Sequence, residues 1–154
     1  MKKTVNAGLI GFGTVGSGLA EVLLTQQERI AQRSGLTIRL SKVADISVNK
    51  LPERFAAVQL TKNADELIND PEIDIIVELI GGIEPAKTFI LKAIAAGKHV
   101  VTANKALLAA HGDEIFSAAS RQGVDLGFEA SVGGGIPLIR SIKEGLVANR
   151  IQGL

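Results

Sequence analysis

The sequence predicts an α/β protein with a doubly wound, mostly parallel sheet and helices on both faces. Three observations lead there. Short apolar runs alternate with helical patterns six times along 154 residues. Aromatic residues make up 3% of the chain and glycine numbers 17, so the core must be built from Val, Ile, Leu and Ala, the composition of parallel strands covered on both faces. The first apolar run also passes through a glycine-rich turn straight into a long helical pattern.

Thr4–Ile10 reads as the first strand, and Thr14–Ser34 as one helix with Val15, Leu19, Val22, Leu23 and Ile30 on one side and Gly35 as its stop. Leu36–Ala44 is the second strand. Leu51–Lys62 reads as a short helical turn and a weak third strand at Val58–Leu60. Asp65–Asn69 is a short helix closed by Asp70-Pro71, and the Ile- and Val-rich run Ile73–Ile80 is the fourth strand. Pro85 opens a helix in which Phe89 pairs with Ala93 and Ile90 with Ile94, and Gly97 caps it. His99–Thr102 is the fifth strand. A helix interrupted near Gly112 spans Lys105–Gln122, and Val124–Glu129 is the sixth strand. Pro137 then starts a helix with apolar positions Leu138, Ile139, Ile142 and Leu146. Arg150–Leu154 reads as the opening of another strand, so the expectation is a cofactor-type domain over residues 1–135 and the start of a second, truncated domain over 136–154.

Several function classes are excluded by composition. Seventeen Lys and Arg against 16 Asp and Glu leave a net charge of +1, with no field to gather phosphates, which argues against nucleic-acid binding. The absence of cysteine excludes a disulfide scaffold, a thiolate metal site and a cysteine nucleophile within these residues. No apolar run reaches roughly 18 residues, and Met1-Lys2-Lys3 leads into a strand pattern, so the expectation is a soluble, cytoplasmic protein without a membrane partner.

Gly11-Phe12-Gly13-Thr14-Val15-Gly16 joins the first strand to the first helix. In that context Gly11 makes a tight turn, Gly13 lets the backbone approach a pyrophosphate, and Gly16 permits close helix–strand packing: a Rossmann-type dinucleotide site. Asp45 ends the second strand, where a carboxylate can hold the adenosine ribose, although it lies further from Gly16 than the roughly 20 residues usual. A carboxylate there favours NAD over NADP, while Arg39, Lys42 or Lys50 could offset its repulsion of a 2′-phosphate. Glu78-Leu79-Ile80-Gly81-Gly82 ends the fourth strand; the glycines let the chain pass close under the nicotinamide-side ribose, and Glu78 reads as a hydrogen-bonded structural carboxylate. Thr102-Ala103-Asn104-Lys105 ends the fifth strand at the same rim, Thr102 and Lys105 being expected cofactor contacts, with Lys105 at the end of a helix that disfavours cations. The loop Glu129–Pro137 offers one carboxylate and three glycines, suited either to an oxygen-ligated cation or to a hinge. His99 and His111 lack partners at ligand spacing.

Taken in order, the turn and helix around Gly11–Gly18, the stretch Val77–Ala86, the segment Val101–Ala109 and the loop Glu129–Pro137 resemble the N-terminal part of homoserine dehydrogenase. The resemblance covers essentially the whole chain. It implies reversible reduction of L-aspartate 4-semialdehyde to L-homoserine with NAD(P)H, on the route to threonine, methionine and isoleucine. It also implies that Lys105 stands where cofactor and substrate meet, and that a sodium ion is held by Glu129 and the carbonyls of Val132, Gly134 and Ile136. The family's further substrate-binding acids and its second lysine lie in a following domain, and a homodimer or homotetramer is implied for the parent. A semialdehyde or glyceraldehyde-phosphate type dehydrogenase would need a nucleophilic cysteine, which these residues lack and a following part could supply. The alternative of another class is a stand-alone nucleotide-sensing module that regulates a partner.

Overall fold

β1 (Lys3–Ile10) lies inside a six-stranded sheet flanked by β2 (Leu36–Ala44) and β4 (Ile75–Glu78), in a computed structural model that describes residues 3–150. With β3 (Gln59–Thr61), β5 (His99–Thr102) and β6 (Leu126–Gly127) the order is β3-β2-β1-β4-β5-β6, and every pairing is parallel. The chain therefore reverses its direction of winding between β1 and β4, which opens a crevice at the carboxyl ends of those strands.

Alternating side chains divide the sheet between two cores. Ile10, Ile76 and Val100 face α3 (Asp65–Ile68), α4 (Ala86–Ala95) and α5 (Lys105–Gln122), where Leu67, Ile68, Ile90, Ile94, Leu107 and Ile115 meet them. Leu9, Val43 and Val77 face the opposite side, packing on Phe12, Ala20 and Phe55.

Several boundaries differ from expectation. The single helix over 14–34 is two, α1 (Thr14–Thr25) and α2 (Gln27–Ser34), with Gln26 non-helical between them. The Thr25 hydroxyl donates to the Glu21 carbonyl one turn back, a bond that bends helices. The buried face of α1 carries Gly16 and Ala20, with Leu19 beside them, while Val15 and Val22 are exposed. β4 is shorter than Ile73–Ile80 because the Glu78 carboxylate takes the N–H groups of Ile80 and Gly81 and turns the chain.

Toward the carboxyl end, the kink in α5 falls at His111, one residue before Gly112. β6 holds only Leu126 and Gly127. The Val124 N–H is taken by Ala119 at the end of α5 and the Asp125 N–H by His99 Nδ1, and Glu129 already opens a short helix, α6 (Glu129–Val132). After Pro137, α7 covers only Leu138–Arg140 before a wider turn over Ser141–Gly145, and Leu138 and Leu146 remain exposed. The predicted strand at 150–154 lies, past Arg150, outside the described residues. No helix among the described residues is long and apolar enough to cross a membrane.

Candidate dinucleotide site

The three glycines of the turn are glycine for different reasons. Gly11 has φ +98°, and a side chain there would press on the Leu79 backbone and Ile80. A Cβ on Gly16 would fall on the Gly11 carbonyl oxygen, so α1 can sit this close to the turn only with glycine. Gly13 is unlike both. Its φ is an ordinary −73°, and a Cβ would meet nothing within 4 Å. Neither its conformation nor its packing within the protein requires glycine.

Gly13 is also the N-cap of α1, and no side chain caps that helix. The first hydrogen bond into the helix is donated by the Ser17 N–H to the Gly13 carbonyl, so the preceding N–H groups point outward at the positive end of the dipole. Thr14 and Val15 are exposed beside them. Phe12, expected at the cofactor, turns its ring into the core, edge-on to Phe55 at 5.8 Å, and donates its N–H to Asp45. Its ring and its N–H are thus both engaged within the protein.

Asp45 follows β2 as predicted and organises the next rim segment. Its Oδ2 accepts the Phe12 N–H at 2.7 Å, and its Oδ1 accepts the N–H groups of Ser47 and Val48 at 2.7 and 3.0 Å. Burial by itself raises the pKa of this carboxyl, but the three N–H groups and the nearby Lys62 outweigh it and hold the pKa below the ordinary value. The cation beside Asp45 is Lys62, not Arg39, Lys42 or Lys50; Lys42 instead pairs with Asp70 at 2.7 Å. The Lys62 ammonium donates to the carbonyls of Ile46 and Val48 and to Asn49 Oδ1, fixing the loop after β2. Gly11, Gly13, Asp45, Lys62 and Gly81 line one cleft of about 500 Å³ at the reversal point of the sheet.

The rim continues over β4, β5 and β6 as a hydrogen-bonded chain. Glu78 is fully buried, and its Oε1 accepts the N–H groups of Ile80 and Gly81. Its Oε2 accepts the Thr102 hydroxyl at 2.6 Å, which makes it the structural carboxylate expected. The Thr102 hydroxyl in turn accepts the Asn104 N–H, and the Thr102 carbonyl accepts the Ser131 hydroxyl. Thr102, a predicted cofactor contact, is thus buried and engaged within the protein; it shapes the rim and leaves no side-chain surface for a ligand. Lys105 opens α5 on the exposed side of the same rim and makes no ion pair or side-chain hydrogen bond among the described residues.

Beyond β6, the Glu129 carboxylate accepts the N–H groups of Ile139 and Arg140 at 2.9 and 3.1 Å, tying α6 to α7. The Ile136 carbonyl accepts the Leu138 N–H. No group of three His, Cys, Asp or Glu side chains suited to a metal ion occurs among the described residues.

Residues 11–129 match the family model described as the NAD-binding domain of homoserine dehydrogenase. The chain belongs to the homoserine dehydrogenase NAD-binding domain family. A homoserine dehydrogenase of Neisseria gonorrhoeae is 48% identical over 152 residues, which cover 99% of this chain and 35% of that protein. One from Bacillus subtilis is 39% identical over 150 residues, 97% of this chain and 35% of that protein. The crystal structure of a homoserine dehydrogenase from Thiobacillus denitrificans aligns with a TM-score of 0.89 at 50% identity, over 97% of this chain and 35% of that one. A hyperthermophilic archaeal homoserine dehydrogenase in complex with NADPH aligns at 0.73 and 26% identity, over 94% and 50%. The chain spans about a third of the length of the homoserine dehydrogenases from N. gonorrhoeae and B. subtilis.

Sequence reasoning missed three residues of this domain's rim. Lys62 comes beside Asp45 only through the parallel register of β2 and β3, Ala44 against Thr61, which no local pattern reveals. Ser131 reaches Thr102 through the same kind of long-range pairing. Asn104 carried a signal that could have found it, because an Asn immediately before a helix is a preferred N-cap.

Proposed function

We propose that this chain is the cofactor-binding part of a homoserine dehydrogenase, serving the NAD(P)-dependent interconversion of L-aspartate 4-semialdehyde and L-homoserine. The observation that carries the reading is Gly13: a glycine that the protein's own conformation and packing do not need, at the uncapped start of α1. A pyrophosphate laid against that turn explains both the missing side chain and the unpaired N–H groups. Asp45 would hold the adenosine ribose, with the affinity for NAD against NADP set by its balance with Lys62. Gly81 and the rim after β5 would carry the nicotinamide half.

A bound NAD(P)H would supply the hydride. Lys105 would orient the substrate carbonyl and favour the negative charge that develops on its oxygen. The substrate acids and the second lysine belong to the following domain, whose start we place near residue 136; the residues of both cores precede it. Assembly of the parent as a homodimer or homotetramer goes with the same reading.

The loop after β6 fits a sodium ion in its donor chemistry. The carbonyls of Val132 and Gly134 carry no hydrogen bond among the described residues, and a carboxylate that accepts two N–H groups keeps further acceptor sites. Glu129 and the carbonyls of Val132, Gly134 and Ile136 would hold the ion there, joining the two domains. Calorimetric titration of the chain with NADH and with NADPH tests the main reading; saturable binding of at least one is expected, and binding of neither would overturn it.

A further inference from the structure

Asn104 does two separate jobs at the start of α5. Its Oδ1 accepts the Leu107 N–H at 3.1 Å, which caps the helix, and its Nδ2 donates to the Gly82 carbonyl at 2.6 Å, which reaches across to the loop after β4. That loop needs a grip. Gly81 and Gly82 both have φ near +70°, and adjacent glycines in this region restrain the chain little by themselves. The loop is pinned from below by the buried Glu78, through the N–H groups of Ile80 and Gly81, and from the side by Asn104. The two pins are one unit, since the Thr102 hydroxyl donates to Glu78 and accepts from the Asn104 backbone.

We infer that Asn104 is a positioning residue: its side-chain amide locks the Gly81-Gly82 turn against the start of α5 and so shapes the nicotinamide end of the site. The inference rests on the dinucleotide reading above. The adenosine and pyrophosphate end is held by other bonds, that of the Gly11 N–H to the Ala44 carbonyl and those of Asp45 to Phe12, Ser47 and Val48, and makes no use of this amide. Loss of the lock therefore acts on one half of the ligand only.

Replacement by Asp or Ser separates the two jobs. Both are good N-caps, so α5 keeps its start. Asp puts a carboxylate against the Gly82 carbonyl, and Ser is too short to reach it. The test measures dissociation constants of the chain for the cofactor form that it binds, NADH or NADPH, and for the matching ligand without nicotinamide, ADP-ribose or its 2′-phosphate, together with the melting temperature. We expect Asn104→Asp and Asn104→Ser to weaken the whole cofactor by roughly three- to tenfold, the worth of one hydrogen bond. The truncated ligand should change less than twofold, and the melting temperature should fall by only the few degrees that one lost hydrogen bond costs. Unchanged affinity for both ligands in two folded variants would overturn the inference, as would equal weakening of both, which marks a purely structural role. Failure of the wild-type chain to bind either ligand would remove the dinucleotide reading and this inference with it, whereas ligand binding that is insensitive to both variants removes this inference alone.

Discussion

The Asp45 carboxylate holds the Phe12 N–H at 2.7 Å, so the end of β2 anchors the glycine turn that follows β1. The same carboxylate restrains Ser47 and Val48. A residue predicted to meet the ribose is therefore already a brace between two segments of the cleft, and its replacement must act on stability as well as on ligand.

Asp45→Ala should destabilise the fold by on the order of 1–3 kcal/mol at neutral pH, because three N–H groups lose a charged acceptor. The carboxyl's pKa is lower in the folded protein than its ordinary 3.8, so its contribution is present above that value and is lost as pH falls through the lower folded one. Denaturation of wild type and variant should accordingly differ most near pH 7, and the gap should narrow as pH falls below the carboxyl's ordinary 3.8. A gap that stays constant with pH would show that the braces do not depend on the charge.

Gly13 and Gly16 should separate cleanly. Gly13→Val leaves stability within about 1 kcal/mol, since its side chain enters open space, but weakens NAD(P)H sharply by filling the pyrophosphate approach. Gly16→Ala pushes on the Gly11 carbonyl and should cost about 1–3 kcal/mol in stability along with binding. Thermal melts beside cofactor titrations distinguish the two; undiminished binding by a folded Gly13→Val chain would remove the phosphate-turn assignment.

In an enzyme that joins this chain to its catalytic domain, Lys105→Ala should reduce turnover by about 10²–10³, the usual worth of one electrostatic contact to a developing oxyanion. Cofactor affinity should change far less, because the role proposed for the ammonium is toward the substrate. Steady-state kinetics with the semialdehyde and a separate NAD(P)H titration give both numbers. Near-normal turnover would make Lys105 an ordinary exposed lysine.

Glu129→Ala in the same enzyme should blunt the response of activity to sodium while NAD(P)H binding stays within about twofold, since Glu129 is the formal negative charge of the proposed ligand set. Rates measured across a sodium series against a potassium control would show it. An unaltered response would leave Glu129 with its link to the N–H groups of Ile139 and Arg140 as its whole role.

What the sequence made legible was local. Leu36–Ala44 and His99–Thr102 have the predicted bounds because their apolar runs end at residues that stop them, and Gly35 and Gly97 close helices with φ above +70° as a C-terminal glycine should. The glycine turn and Asp45 came together because both sit at strand ends on one side of a parallel sheet. What stayed hidden depends on register or on side chains acting on their own backbone. Glu78 shortens its own strand, the Thr25 hydroxyl marks the break between α1 and α2, and Lys62 meets Asp45 across two strands. The apolar pattern after Pro137 is helical in its first residues, but burial is a property of what lies opposite, and Leu138 and Leu146 stay partly exposed.

The place of β1 inside its sheet also bears on how the chain reaches its native state. β1 leaves the ribosome before its neighbours, yet Ile10 pairs with Glu78 on the side away from β2. At about 5–20 residues per second, that edge waits several seconds for its partner after β2 has arrived on the other side. During this interval Leu9 and Ile10 lie on an open parallel edge, the kind of template on which nascent chains associate with one another. Chains ended between β3 and β4 should therefore sediment as aggregates, and chains extended past β5, where both edges of β1 and β4 are covered, should stay in solution.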